Sequence, residues 1–124
     1  MTKEKANFVD VIHTSIFFGI QESVGHQDFW INQQKPNQPG CHPVTEADFS
    51  CDHVRVVNLY AESILSPNKF KSSTVCRNWP VSYNMGMCDC DSNCNHMGHF
   101  ADRDQSQGDY YLETNGESPF SKTS

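Results

Sequence analysis

The chain contains the run Phe8-Val9-Asp10-Val11-Ile12-His13, in which apolar and β-branched residues dominate. A nearly continuous apolar run of this kind is typical of a strand that is buried on both faces in a parallel sheet. Residues 25–31 predict a second short strand, and residues 110–114 predict a last strand that Asn115-Gly116 ends. Residues 13–25 show no steady period, so we expect a loop that carries apolar side chains.

The apolar residues take on a helical period after Asp52. The residues that recur at this spacing are Val54, Val57, Ala61, Ile64 and Leu65. They predict an amphipathic helix whose apolar face is buried, whereas Arg55, Asn58 and Glu62 point outward. Ser50 or Asp52 can cap this helix, and Ser66-Pro67 ends it.

The composition narrows the classes of function. The net charge of −6, without a cluster of Lys or Arg, argues against a nucleic-acid partner. The longest apolar run, residues 16–20, is far shorter than the roughly 20 residues of a transmembrane helix. The apolar fraction of 36% is low beside the roughly 45–50% of globular proteins. We therefore expect the chain to be a piece of a larger domain. The tail from residue 117 is polar, and we expect it to be loose.

The six cysteines, an even number at close spacings, predict three disulfides formed in an oxidising compartment. No apolar h-region follows Met1, so this chain shows no signal peptide. The disulfides indicate secretion, whereas the signal peptide that secretion requires does not occur in this chain. This combination suggests that an N-terminal part is missing. A disulfide between Cys41 and Cys51 would stabilise the fold by roughly 2–3 kcal/mol. The loop that it closes is either a small functional flap or a stapled turn.

The second cysteine cluster has two interpretations. A zinc site would use Cys88, Cys90, Cys94 and either His96 or His99, but this spacing is not usual for structural zinc. Disulfides are the simpler interpretation. Cys88 and Cys90 stand too close to pair without strain, so Cys76–Cys88 and Cys90–Cys94 is the least strained local solution.

His53 is the candidate catalytic residue. An imidazole can take a proton from a serine hydroxyl and return it to a leaving group. The alternative is a histidine near a helix start that makes only a local hydrogen bond. No Gly-x-Ser-x-Gly elbow occurs in the chain, so Asp10, Asp28 and the other histidines are given no triad role.

Motifs in a characteristic order run through residues 6–120. They are Phe-Val-Asp-Val-Ile-His-Thr (8–14), Gly-His-Gln-Asp-Phe (25–29), Gln-Pro-Gly-Cys (38–41), Cys-Asp-His-Val-Arg (51–55), Tyr-Ala-Glu-Ser-Ile (60–64) and Met-Gly-His-Phe-Ala-Asp (97–102). This series resembles the C-terminal part of the pancreatic-lipase-type lipases and phospholipases A1, in particular their insect members.

The resemblance implies an α/β-hydrolase fold, of which residues 1–124 are the C-terminal portion of one domain, stapled by disulfides. It matches His53 to the triad histidine and residues 41–51 to the lid loop. It also matches residues 14–24 to a loop that covers the substrate cleft. The triad serine, its Asp and the oxyanion donors would lie upstream of Met1. Both loops are short, as in the phospholipase A1 branch.

The resemblance therefore implies a fragment of an extracellular carboxylic-ester hydrolase of lipid catabolism, inactive by itself. Its substrate would be a phospholipid or glyceride at a lipid–water interface, and neither a cofactor nor a metal is expected. The alternative is a non-enzymatic lipid-binding or yolk-type relative.

Overall fold

The computed structural model describes residues 3–15, 20, 22–32, 38–41, 49–66, 69–73 and 94–122. Its elements in chain order are a 3-10 helix (Lys3–Lys5), β1 (Asp10–His13), β2 (Gln27–Ile31), α1 (Phe49–Leu65), β3 (Lys71–Ser72), β4 (Asn95–His96) and β5 (Gly108–Leu112). No helix in these described ranges has the length and hydrophobicity needed to cross a bilayer.

The three longer strands form one parallel sheet in the order β1-β2-β5. Ile12 lies opposite Phe29 in the first pair, and Phe29 lies opposite Tyr110 in the second. The predicted α/β class with a parallel sheet is therefore confirmed. β1 begins at Asp10 rather than Phe8, and β5 begins at Gly108 rather than Tyr110 because its ladder starts opposite Gln27.

The core joins side chains of this sheet to Leu59 of α1 and to Phe70 and Met97. Its buried apolar residues are Phe29, Ile31, Leu59, Phe70, Met97, Tyr110 and Leu112. The rings of Phe29 and Tyr110 stack with their centroids 5.3 Å apart. Among these described core residues, Leu59 is the only one from α1. Contacts other than apolar packing must therefore help to fix the helix.

The predicted orientation of α1 is wrong. The side chains of Val54, Val57, Ile64 and Leu65 are exposed, and those of Val57 and Leu65 are 63% and 82% accessible. The inward side carries Asp52, Arg55, Leu59 and Ser63 instead. Periodicity locates an apolar stripe but does not say what covers it, and here polar partners on the opposite side hold the helix.

The tail from residue 117 was predicted to be loose, and this is wrong for Phe120 and Ser121. The carboxylate of Glu62 accepts hydrogen bonds from the backbone N–H groups of Phe120, at 2.6 Å, and Ser121, at 2.9 Å. Thr114 and Ser121 also form an antiparallel bridge. Glu62 is half-buried by these contacts rather than turned fully outward.

A short antiparallel ladder of β3 and β4 was not predicted from the sequence. Asn95 in β4 is fully buried, and its side-chain amide donates to the Gln27 side-chain carbonyl at 3.0 Å. The Asn95 side-chain oxygen accepts from the N–H of Asp102 at 2.8 Å. This polar network ties the segment around β4 to the start of β2.

Candidate active site

Cys41 and Cys51 form the predicted disulfide, with their Cα atoms 5.8 Å apart. Cys51 lies in the first turn of α1, so the bond joins the helix start to the turn at residues 38–41. Residues 42–48 of the expected lid, and the side chains of Phe49 and Ser50, lie outside the described part. The disulfide places His53 next to a covalently held segment.

His53 lies in the N-terminal part of α1, and its side chain is exposed. The helix begins at Phe49, so Ser50 and Asp52 lie within it and neither is the cap that the sequence suggested. Solvent access is what an imidazole needs if it is to reach a substrate.

Asp52, the neighbour of His53, points the opposite way and is 1% accessible. Its Oδ1 accepts a hydrogen bond from the backbone N–H of Gln38 at 2.6 Å, and no described residue donates to its buried Oδ2. Burial raises the pKa of this carboxyl, although the Gln38 hydrogen bond and the charge of Arg55 act to lower it. Asp52 therefore anchors the first turn of α1 to residues 38–41.

Arg55 makes the second anchor, one turn further along the helix. Its guanidinium donates to the Pro39 carbonyl at 2.8 Å and lies 3.5 Å from Cys41 Sγ. It also lies 4.7 Å from the ring centroid of Phe120. Burial lowers its pKa, and the nearby Asp52 carboxyl opposes this shift. Asp52 and Arg55 flank His53 in the sequence and both point inward. The imidazole of His53 is thus held on the outward face of α1.

Gln38 connects this anchor to the sheet. Its side-chain N–H₂ donates to the carbonyls of Thr14 and Ile31, each at 3.0 Å, and its side-chain oxygen accepts from Asn32 at 2.7 Å. Thr14 and Ile31 stand at the carboxyl ends of β1 and β2. Ligands of open α/β sheets bind beyond these ends. Nothing in the local sequence around Gln38 indicates that its side chain contacts Thr14, Ile31 and Asn32.

The second cysteine cluster is described only at its end. Cys94 is disulfide-bonded, whereas Cys76, Cys88 and Cys90 lie outside the described residues. The Cys94 thiolate is therefore not available as a zinc ligand. Within the described ranges, no group of three or more His, Cys, Asp or Glu residues could hold a metal ion.

The profile of the family described as Lipase matches residues 1–120. The chain belongs to this family. It is 35% identical to pancreatic triacylglycerol lipase of Oryctolagus cuniculus over 94% of the chain, and 37% identical to human pancreatic lipase-related protein 3 over the same share. Phospholipase A1 of Vespula squamosa is 44% identical over 52% of the chain.

This lipase-family chain spans 30% and 31% of the length of the two pancreatic relatives, and the match covers 21% of the wasp protein. The family assignment agrees with the motifs in the sequence. The catalytic role of His53 and the lid role of residues 41–51 remain predictions that rest on the resemblance.

Proposed function

We propose that this chain is the C-terminal part of a secreted carboxylic-ester hydrolase, and that His53 is its general base and acid. The observation that carries the proposal is an exposed imidazole held beside the carboxyl-terminal edge of a parallel sheet by the Cys41–Cys51 disulfide and by two buried charges, Asp52 and Arg55. Membership of the Lipase family supports the same chemistry.

In the complete enzyme, His53 would take the proton of a serine hydroxyl as that oxygen attacks the ester carbonyl. It would then give the proton to the departing alcohol. In the second half of the reaction, water would attack the acyl group, and His53 would take the proton of this water and return it to the serine oxygen. The serine, the Asp that orients the ring and the oxyanion donors would come from a preceding part of the domain. The chain alone should therefore have no esterase activity.

Two observations support a larger domain. The chain matches less than a third of the length of the pancreatic relatives. In addition, the exposed apolar stripe on α1 includes Val57 and Leu65, and large exposed apolar patches are uncommon on proteins that work alone. A preceding segment of the hydrolase domain would bury this stripe.

We favour a phospholipid as the substrate, cleaved at its sn-1 acyl ester, with a glyceride as the other candidate. The expected lid between Cys41 and Cys51 is short, which leaves a cleft open to polar head groups. The similarity to a wasp phospholipase A1 supports this choice. The disulfides agree with an extracellular site of action.

The first experiment sequences the transcript upstream of the Met1 codon. An in-frame Gly-x-Ser-x-Gly motif followed by an Asp is expected. A degraded elbow would instead favour the non-enzymatic lipid-binding relative, and the absence of any hydrolase-like sequence would refute the proposal.

The second experiment expresses that full-length protein and measures phospholipid hydrolysis. His53→Ala should lower kcat by on the order of 10⁴-fold or more, as removal of a triad member does elsewhere. His99→Ala is the matched control, because His99 is also an exposed histidine. Equal activities of the two variants would refute the role of His53. The 124-residue chain alone should give no turnover above the blank.

A further inference from the structure

A buried polar network joins the carboxyl ends of the three strands of the parallel sheet. It includes Thr14, which follows β1, Asn32, which follows β2, and Thr114, which lies beyond the end of β5. The side-chain amide of Asn32 donates to the Thr114 hydroxyl at 2.9 Å and to the side-chain oxygen of Gln38 at 2.7 Å. Its oxygen accepts from the backbone N–H of Thr114 at 3.0 Å. These four residues are between 1% and 3% accessible, so the network is closed to solvent.

The side chain of Gln38 uses both of its donors in this network. They donate to the carbonyl oxygens of Thr14 and Ile31, each at 3.0 Å. A carbonyl oxygen can only accept, so these two partners require an amino group and fix which way the amide points. A glutamate would present an oxygen to both carbonyls, and an asparagine is one methylene shorter. Position 38 therefore needs both the length and the donors of glutamine.

The backbone of Gln38 holds the start of α1. Its N–H donates to Asp52 Oδ1 at 2.6 Å, and its carbonyl accepts from the N–H of Cys41 at 2.9 Å. Cys41 is in turn bonded to Cys51 in the first turn of the helix. A covalent bond and a short hydrogen bond thus join the two segments.

Residues 38–41 and 51–55 form what we call the turn–helix unit. The backbone of Gln38 belongs to this unit, whereas its side chain lies among the carboxyl ends of the strands. Gln38 is therefore a joint between the turn–helix unit and the sheet.

His53 lies at the end of α1 that this joint controls. The middle of the helix is fixed in the core by Leu59, which is 0% accessible. At 1.5 Å per residue, His53 lies about 9 Å from Leu59 along the helix axis. Without the joint, a tilt of about 6° about Leu59 would move His53 by roughly 1 Å. A misplacement of this size can lower a reaction rate by on the order of 10²-fold.

Resting on the proposed function, we propose that Gln38 is a positioning residue for the reaction. Its side chain sets the distance between the imidazole of His53 and the carboxyl edge of the sheet. Ligands of open α/β sheets bind beyond this edge, and there the nucleophile and the ester would meet His53. Gln38 is buried and acts through Asp52 and the turn–helix unit. Its effect is therefore on the chemical step and not on substrate binding.

Asn95 provides a matched control at the opposite edge of the sheet. It is also a fully buried amide, which donates to the side-chain oxygen of Gln27 at 3.0 Å and accepts from the N–H of Asp102 at 2.8 Å. Gln27 begins β2, so this network lies at the amino ends of the strands. Gln38→Met and Asn95→Leu each replace a buried amide by an apolar side chain of similar size.

The kinetic test uses the full-length protein and phospholipid hydrolysis, with rates corrected for the folded fraction measured by circular dichroism. Gln38→Met should lower kcat by about 10- to 100-fold because the imidazole is displaced. KM should stay within about twofold because Gln38 binds no substrate. Asn95→Leu should leave kcat within about threefold of the unmodified enzyme. Equal kcat values for the two variants, or a loss confined to KM, would overturn the proposal.

The placement of α1 is measured on the 124-residue chain, with its disulfides intact, through residual dipolar couplings of the backbone N–H groups. In the unmodified chain and in Asn95→Leu, one alignment tensor should fit α1 and the strands in their present arrangement. In Gln38→Met, the couplings should fit within α1 and within the strands but not in this common arrangement, because the helix has tilted. A common fit for Gln38→Met as good as that of the unmodified chain would overturn the proposal.

Gln38→Asn is the second variant, which decides if Gln38→Met does not fold. It keeps an amide, but the shorter side chain cannot reach both carbonyls, so we expect the same misfit with a smaller tilt. A common fit for this variant as good as that of the unmodified chain would also contradict the role of Gln38.

Failure of this inference and failure of the proposed function are distinguishable. An inactive full-length protein would refute the proposed function, whereas the dipolar couplings would still decide whether Gln38 places the start of α1. A His53-dependent enzyme whose kcat does not respond to Gln38→Met would refute only the role of Gln38.

Discussion

Replacement of Arg55 by Ala should destabilise the chain more than any substitution on the exposed face of α1. Arg55 is 8% accessible, and its guanidinium donates to the Pro39 carbonyl at 2.8 Å. It also lies 4.7 Å from the centroid of the Phe120 ring and close to the buried carboxyl of Asp52. Its removal therefore detaches α1 from the turn at residues 38–41 and from the C-terminal segment.

The magnitude follows from these contacts. A hydrogen bond from a charged donor is worth about 1.5–3 kcal/mol. A cation over an aromatic ring adds about 0.5–1 kcal/mol. In Arg55→Ala no guanidinium has to be buried, which favours the folded state. Asp52 loses its neighbouring cation, which disfavours the folded state. We take these two effects as similar in size. The expected loss is about 2–4 kcal/mol in the free energy of unfolding.

Urea denaturation of the disulfide-intact chain, followed by circular dichroism, measures this loss. With a slope of roughly 2 kcal/mol per molar urea, the midpoint of Arg55→Ala should fall by on the order of 1–2 M. Arg55→Lys should give an intermediate loss, because it keeps the charge but not the planar fork of donors.

Asn58→Ala is the matched control, since Asn58 is an exposed residue of the same helix. Its effect should stay within about 0.5 kcal/mol. If Arg55→Ala and Asn58→Ala shift the midpoint equally, the anchoring role of Arg55 is refuted.

Three other predictions concern the same site. His53→Ala should change the free energy of unfolding by less than about 0.5 kcal/mol because the side chain is exposed, and a loss above 2 kcal/mol in urea denaturation would indicate a structural role instead. The Cys41→Ser/Cys51→Ser double variant should lose about 2–3 kcal/mol in the same measurement, and an unchanged midpoint would refute the stabilising role of this bond. Burial raises the pKa of Asp52 above its ordinary value of 3.8, so the folded state holds this proton more tightly than the unfolded state. The contribution of Asp52 to stability should therefore fall as the pH rises from about 3.8 through the raised pKa. Asp52→Asn should abolish this fall, and identical pH profiles of stability for the two proteins would contradict the reasoning.

Local patterns in the sequence were sufficient for several elements. The apolar run at residues 8–13 predicted one strand, because burial on both faces of a parallel sheet requires such residues, and residues 25–31 predicted a second short strand. The helical period predicted α1, and the spacing of Cys41 and Cys51 predicted their disulfide. The order of the motifs predicted the family.

The sequence by itself thus determined that β1, β2, β5 and α1 form, since these elements depend on residues close together in the chain. Only the tertiary structure decided which side of α1 is buried, because Asp52 and Arg55 find their partners at Gln38 and Pro39 in a separate turn. It also decided that Glu62 holds the tail through Phe120, 58 residues away. Such hydrogen bonds join groups that are distant in sequence, so no local period records them, and they override the simple rule that the apolar face of a helix turns inward.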